Sequence, residues 1–436
     1  MRYRTRRLLT AATLTLLAVA CAGALGAAKA QAASQHSTTK VTKISACGFV
    51  AHKAGTYELT QSVADSGSGA CITITANNVT LYLDSHTITG TGSDTCLVVD
   101  GVSGMSVKDT VVGGKMPKPG AKTKSMKPAT LTNCHTGLAV TLTSGATASY
   151  LNMVAPTSTG VFEESATGAN LSHITVPMHL GNSGAGFVLE GGADNSVTNS
   201  TVNYDGSNDA FIAVEETGDT FMHDTVNDPY SSGSAGTGFF EAASSRDTWS
   251  HCTTSGQFNG FNFDSEGSGP VTATYDKATG SPANSHSVGF MITGAFQQAD
   301  SASSFHTLLS HNKTIGFQTG FDDENGGIPS TPVAETWTDN TADNYGAVGF
   351  LINHPTDYTM TGNIADANTS GKKYKGGSTY GFALVSASPT FPFARFANNQ
   401  AYDSGYGFYS AALPVGGKGN IAKRNAINSV GVEITG

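Results

Sequence analysis

A glycine followed by a large apolar residue recurs along most of this chain, and no other feature limits its fold so tightly. The series runs Gly137-Leu138, Gly160-Val161, Gly186-Phe187, Ala210-Phe211, Gly238-Phe239, Gly260-Phe261, Gly289-Phe290, Gly316-Phe317, Gly349-Phe350, Gly381-Phe382, Gly407-Phe408 and Gly431-Val432. Successive pairs are roughly 22 to 33 residues apart, a period found in solenoids and propellers. A propeller blade needs about 40 residues in four antiparallel strands, and the Leu-x-x-Leu-x-Leu pattern of leucine-rich repeats is absent. The commonest step, near ~25 residues, suits one coil of three short strands. Stretches such as "GFVLE" and "GFLIN" alternate apolar and polar residues, so one face of each strand points to a shared core. No segment keeps apolar residues at i, i+3, i+4 and i+7 for three turns, and little helix is expected.

A second series supports the coil. Asn199, Asp224, Cys252, Asp276, Asn312, Asn340, Asn363, Asn399 and Asn425 follow the second strand of successive units. Asn tolerates the left-handed conformation that a tight corner needs, and its amide can bond its equivalent one coil away. With both series in place, the chain resembles the right-handed parallel β-helix proteins of the pectate-lyase-like superfamily. The N-terminal "CGFVAHKAGTYELTQSVADSGSGACITITANNVTLYLDSHTITGTG" is similar to the first coils of exported bacterial members. The resemblance covers Cys47 to Gly436 and implies an all-β, right-handed parallel β-helix solenoid of about fourteen coils. Residues 113–130, 294–311, 320–338, 364–380 and 386–397 depart from the coil pattern and read as loops able to wall a groove.

The first residues read differently. Arg2, Arg4, Arg6 and Arg7 precede an apolar run from Leu8 to about Ala28, and Ala30-Gln31-Ala32 forms an A-x-A site. That order predicts a secretory signal peptide over residues 1–32, a short polar linker over 33–46 and a β-helix domain over 47–436. Removing residues 1–32 takes away Arg2, Arg4, Arg6, Arg7 and Lys29 and no acid, moving the formal charge from −9 to −14. So acidic a protein is a poor partner for nucleic acid or anionic lipid, and a secreted, extracellular protein without membrane contact is expected. In an oxidising compartment, Cys47 is expected to pair with Cys71 and Cys96 with Cys134, leaving Cys252 as a buried thiol. A strand-like "GVEITG" closes the sequence, and an uncovered last coil would allow oligomerisation through that end.

Carboxylates follow the apolar pairs in several coils. If Phe187 and Leu189 point inward, Glu190 points outward, and the same count from Phe261 and Phe263 places Asp264 outside. Glu163, Glu164, Glu215, Glu216 and Glu241 lie at or near the same strand end. Stacked like charges repel, so such a line calls for screening by solvent, a shared calcium ion, or a carboxyl that keeps its proton and acts as an acid. Adjacent coils would hold equivalent carboxylates ~5 Å apart and alternate coils ~9.5 Å apart, which brackets the separations in retaining and inverting glycosidases.

The motifs that mark activity in the resembled superfamily are not intact here. The Asn-Thr-Asp, Gly-His-Gly and Arg-x-Lys set of galacturonan hydrolases is missing, and "NDPY" at 227–230 matches the alginate-epimerase signature poorly. The reading is therefore a secreted carbohydrate-active protein, a glycosidase or lyase acting on a polysaccharide. Glu190, Glu215, Glu241 and Asp264 are its acid and base candidates, with calcium as a candidate cofactor. Glu164, Arg246, Trp249 and Tyr230 are substrate-binding candidates, the aromatic ones, like Tyr204, by stacking on sugar rings. A non-catalytic extracellular glycan- or cell-wall-binding β-helix is the alternative. His173, His223, His251 and His311 precede corner residues and should share one edge, where convergence of two or three would be needed to bind a metal.

Overall fold

The computed structural model describes residues 40–67, 69–104, 106–108, 127–178, 184–203, 209–228, 236–264, 270–280, 286–293, 307–323, 335–353, 358–367, 378–385, 395–411, 417–432 and 434. The chain divides into two units, residues 1–39 and 40–436, and all described residues belong to the second. Among them are 41 short strands and no helix. The strands form one sheet of 26 and one of 15, paired in parallel. Each coil gives one strand to the smaller sheet and up to two to the larger. The result is the right-handed parallel β-helix that the repeat predicts, with the hand that crossovers between parallel strands strongly favour. The 15 strands of the smaller sheet mark one coil more than the fourteen expected. The first strand, Val41–Ile44, pairs with Gly55–Leu59 and lies inside the stretch read as a linker.

The glycine-aromatic pairs sit in the smaller sheet. Phe187, Phe211, Phe239, Phe261, Phe290, Phe321, Phe350, Phe382 and Phe408 form one inward file, stacked at 4.4–5.1 Å between ring centroids. Two expected members lie out of register. The strand Thr319–Asp323 puts Gly320-Phe321 in the file, whereas Gly316 turns a corner at φ 74° and Phe317 packs in the core beside it. In the last strand, Ile427–Val430, the partner of Phe408 is Ser429 and not Val432. Strands also occupy parts of all five segments read as loops, at Ala129–Thr132, Thr307–Ser310, Thr319–Asp323 with Thr336–Thr338, Ile364–Asp366 and Arg395–Ala397.

The glycine is required because the chain runs too close for a side chain. A Cβ on Gly289 would stand 2.3 Å from Thr314 Cγ2 and 2.6 Å from the carbonyl oxygen of Gly320.

A polar ladder runs up a corner of the larger sheet. The Cys252 N–H donates to Asp276 Oδ1 at 2.7 Å, Asp276 to Asn312 at 2.9 Å, Asn312 to Asn340 at 2.9 Å, Asn340 to Asn363 at 3.0 Å and Asn363 to Asn399 at 3.1 Å. Its ends differ from expectation. Ser200, not Asn199, donates to Asp224 at 2.7 Å, and Asn399 donates to Asn420, not Asn425, at 3.0 Å. Asn425 instead accepts from the Ser404 N–H in another file. The ladder side chains are buried, and the left-handed conformation falls to the residue before each: Asn199, His223, His251, Tyr275, His311, Asp339 and Asn398, at φ 53–59°. The turn is made one residue early, which swings the next side chain inward to satisfy the backbone of its neighbour.

Disulfides join Cys47 to Cys71 and Cys96 to Cys134, and Cys252 is a buried thiol, as expected. Gly289→Ala should lower stability by about 1–3 kcal/mol through overpacking. A denaturant melt of the variant checks this, and an unchanged midpoint would contradict the close approach.

Candidate functional site

The smaller sheet ends, on its outer side, in a file of residues set by register. Asp100 pairs with Thr141, Thr141 with Glu164, and Glu164 with Glu190. Asp100, Glu164 and Glu190 are exposed, and Thr141 Oγ1 donates to Asp100 Oδ1 at 3.1 Å. The file then passes through Val214 and Ala242 before reaching Asp264 and Thr293. Asp264 is thus three coils from Glu190, and the close pair is Glu164 with Glu190. Glu215 is exposed on the adjoining corner, in a left-handed conformation. Along this corner, Gly101, Leu142 and Ser165 border an open depression of about 310 Å³. Each directly follows a member of the file, so the depression flanks the acid line.

Asp100 was not among the sequence candidates because its strand, Leu97–Asp100, lacks the glycine-aromatic pair. The count that located Glu190 from Phe187 would have found Asp100 from Leu97.

Other candidates are placed elsewhere. Glu241 follows Phe239 by two residues, and strand alternation therefore turns it inward, where it is 1% exposed. Trp249 is wholly buried, stacks on Phe221 at 3.7 Å, and donates from Nε1 to Glu241 Oε2 at 2.6 Å. Its faces are occupied by the core, and no sugar can reach them. Arg246 is exposed at a different corner, at φ 62°, leading into Thr248–Ser250. Tyr230 and Tyr204 lie outside the described residues. The four histidines share one exposed corner, as expected, but His173 stacks on Tyr150 and is separated by the Asn199 coil from the run His223, His251, Tyr275 and His311; among the described residues no three His, Cys, Asp or Glu side chains are grouped to hold a metal ion.

Beneath the acid line the coil encloses a second set of carboxyls: Glu163, Glu216, Asp219, Glu241 and Asp247, each at most 1% exposed. They are partly satisfied by backbone. Ala166 N–H donates to Glu163, Gly192 N–H to Glu216, Asn195 N–H to Asp219 and Asp219 N–H to Asp247. Glu216 hydrogen-bonds the side chains of Glu163 and Asp219, which requires a proton on at least one carboxyl of each pair, and one oxygen each of Glu241 and Asp247 has no hydrogen-bond partner among the described residues. Burial pushes Glu163 up to about 7. Burial, then the neighbouring Glu163, does the same to Glu216, also to about 7. Asp219 rises to about 8 through burial and the Glu216 charge, and Asp247 to about 7 chiefly through burial. Burial, then the Asp247 charge, pushes Glu241 well up.

The pH dependence follows in sign. The folded carboxyls bind protons that the unfolded chain releases near pH 4, so stability falls as pH rises from about 4 to about 8. The melting temperature should be higher at pH 5 than at pH 8. Glu163→Gln, which keeps an acceptor for the Ala166 N–H, should flatten that slope; a melt that is equally stable at both pH values would show these groups to be ionised.

No protein-family profile matches the chain, and no curated protein sequence matches it. Solved structures with a similar backbone include the tailspike protein of E. coli bacteriophage HK620 in complex with a pentasaccharide, at 10% identity and a TM-score of 0.48, covering 87% of this chain and 73% of that one. An endo-xylogalacturonan hydrolase from Aspergillus tubingensis is similar at 12% identity and 0.41, covering 81% and 100%. The catalytic domain of a GH87 alpha-1,3-glucanase is similar at 10% and 0.46, covering 86% and 68%.

Proposed function

We propose that this chain is exported by the signal in residues 1–32 and acts outside the cell on a polysaccharide laid across the exposed ends of the 15-stranded sheet. The observation that carries the reading is the pairing of Glu164 with Glu190 in adjacent coils, exposed beside an open depression. Equivalent carboxyls one coil apart stand ~5 Å from each other, the separation at which one serves as nucleophile and the other as acid and base in a retaining glycosidase. Asp100, two coils from Glu164, supplies the wider spacing of an inverting pair. A formal charge of −14 after export favours a neutral glycan at this acidic line. Two disulfides agree with folding in an oxidising compartment.

A second reading, glycan binding without turnover, is favoured by one feature. Phe162, Val188, Ile212 and Phe240 form a half-buried outward file beside the acids, a platform of the kind on which sugar rings rest without reacting.

The test is a panel of neutral and acidic polysaccharides assayed for new reducing ends and for unsaturated products, with the protein recovered from culture medium and its N-terminus sequenced. Glu164→Gln and Glu190→Gln should each lower turnover by at least 10²-fold while leaving the melt unchanged, and Asp264→Asn should have little effect. Retained product stereochemistry selects the Glu164–Glu190 pair, and inversion selects Asp100. Binding with no turnover by the parent leaves the second reading.

A further inference from the structure

The corner that carries the histidines differs from everything around it. In four successive coils it presents His223, His251, Tyr275 and His311, all exposed. Their rings stack along the coil axis, with centroids 4.9 Å, 5.1 Å and 4.7 Å apart. The His251, Tyr275 and His311 rings cover one another's faces at interplanar angles of 17° and 21°, while His223 is tilted by 46° to His251. Ser250 Oγ and Ser310 Oγ hydrogen-bond Nδ1 of His251 and His311, at 2.8 Å and 2.7 Å, which leaves Nε2 of His251 for an outside partner, whereas Nε2 of His311 faces Asp339. On the strands leaving this corner, Lys277 and Lys313 are partners in adjacent coils. Like charges in that position repel, and the surrounding coils carry Thr253 and Thr341 there instead.

We propose that this corner is a pH-gated binding strip for a linear polyanion, with its anionic groups spaced at about one coil. The strip stands at a different corner from Glu164 and Glu190 and does not rest on the activity proposed for them. Its charge is set by the groups that face it. Asp339 lies 3.7 Å from His311 Nε2 and Asp343 is 2.6 Å from Lys313 Nζ, together closing one end. Asp224 and Asp276 lie beneath in the ladder, where burial pushes both carboxyls well up. The two lysines are balanced by exposed Asp339 and half-buried Asp343. Histidine is the side chain whose charge changes between pH 5 and 8, and this strip carries one on three of four coils. In a protein where Asp and Glu outnumber Lys and Arg by 33 to 24, a row of cations in register with the coils has a repeating anion as its matching ligand. Carboxylate and phosphate chains share that chemistry.

The test is calorimetric titration of the mature protein with polygalacturonate and, separately, inorganic polyphosphate, at low salt. Affinity for at least one should be about tenfold higher at pH 5.5 than at pH 7.5 and should weaken with salt; the better arm identifies the anion. The combined variant His223→Asn, His251→Asn, His311→Asn should lose the pH dependence. It should fold, because Asn199 and Asn398 already occupy this left-handed position, and circular dichroism checks that it does. Lys277→Thr with Lys313→Thr should weaken binding at both pH values. Glu164→Gln with Glu190→Gln should bind as the parent does. No binding at pH 5.5, a pH dependence that survives the triple variant, or binding lost with the glutamates would each overturn the strip.

Discussion

Adjacent coils are held at the spacing of a parallel hydrogen-bond ladder, and every recurring feature of this protein is a response to that spacing. Where the backbone of one coil passes over the carbonyl of the next, glycine fills the position in nearly every coil, Ala210 being an exception, and a Cβ on the glycines would stand 2.4–2.8 Å from that oxygen. Where the interior must be filled, a phenylalanine stacks on its equivalent at 4.4–5.1 Å. Where a corner exposes backbone N–H groups to the interior, an Asn or Asp from the next coil accepts from them. Three side-chain types solve three problems posed by one repeat distance.

The same spacing turns single residues into files, and a step of one residue decides which side of the wall a file is on. Glu163 and Glu164 are neighbours in sequence, yet one is buried and the other exposed. Glu216 and Glu215 repeat that division. The inner acids hold protons because the interior will not solvate charge. The outer acids face water and any ligand. An acid-rich strand end therefore yields two populations with different chemistry, and only the outer one can meet a polysaccharide.

Around the coil, the corners have opposite character. The end of the 15-stranded sheet carries carboxylates beside a depression, and the corner between strands of the larger sheet carries imidazoles and lysines. A solenoid separates such files by strands that run between corners, so two ligands of unlike charge can be served without mutual interference.

How much of this was legible in the residues follows from what repetition can and cannot encode. The period of the glycine-aromatic pairs was enough to indicate coils of short strands around a shared core, and the resemblance it carries implied the parallel β-helix; the expected pairing of Cys47 with Cys71 and Cys96 with Cys134, and the buried Cys252, agree with the structure. Register failed where the local signal was ambiguous: Gly316-Phe317 and Gly320-Phe321 are four residues apart and carry the same dipeptide, the sequence reading selects the first, and strand pairing selects the second. Trp249 carries a ring that could bind sugar or fill a core, and Glu241 a carboxyl that could be acid catalyst or buried group; the chain alone does not distinguish them. The sequence by itself determined the winding, since a Gly-Phe period near 25 residues admits little else. Which carboxylates stand together outside, and that the histidines stack above Lys277 and Lys313, was decided only by the tertiary structure, because side-chain direction depends on alternation counted from strand ends that nothing local marks.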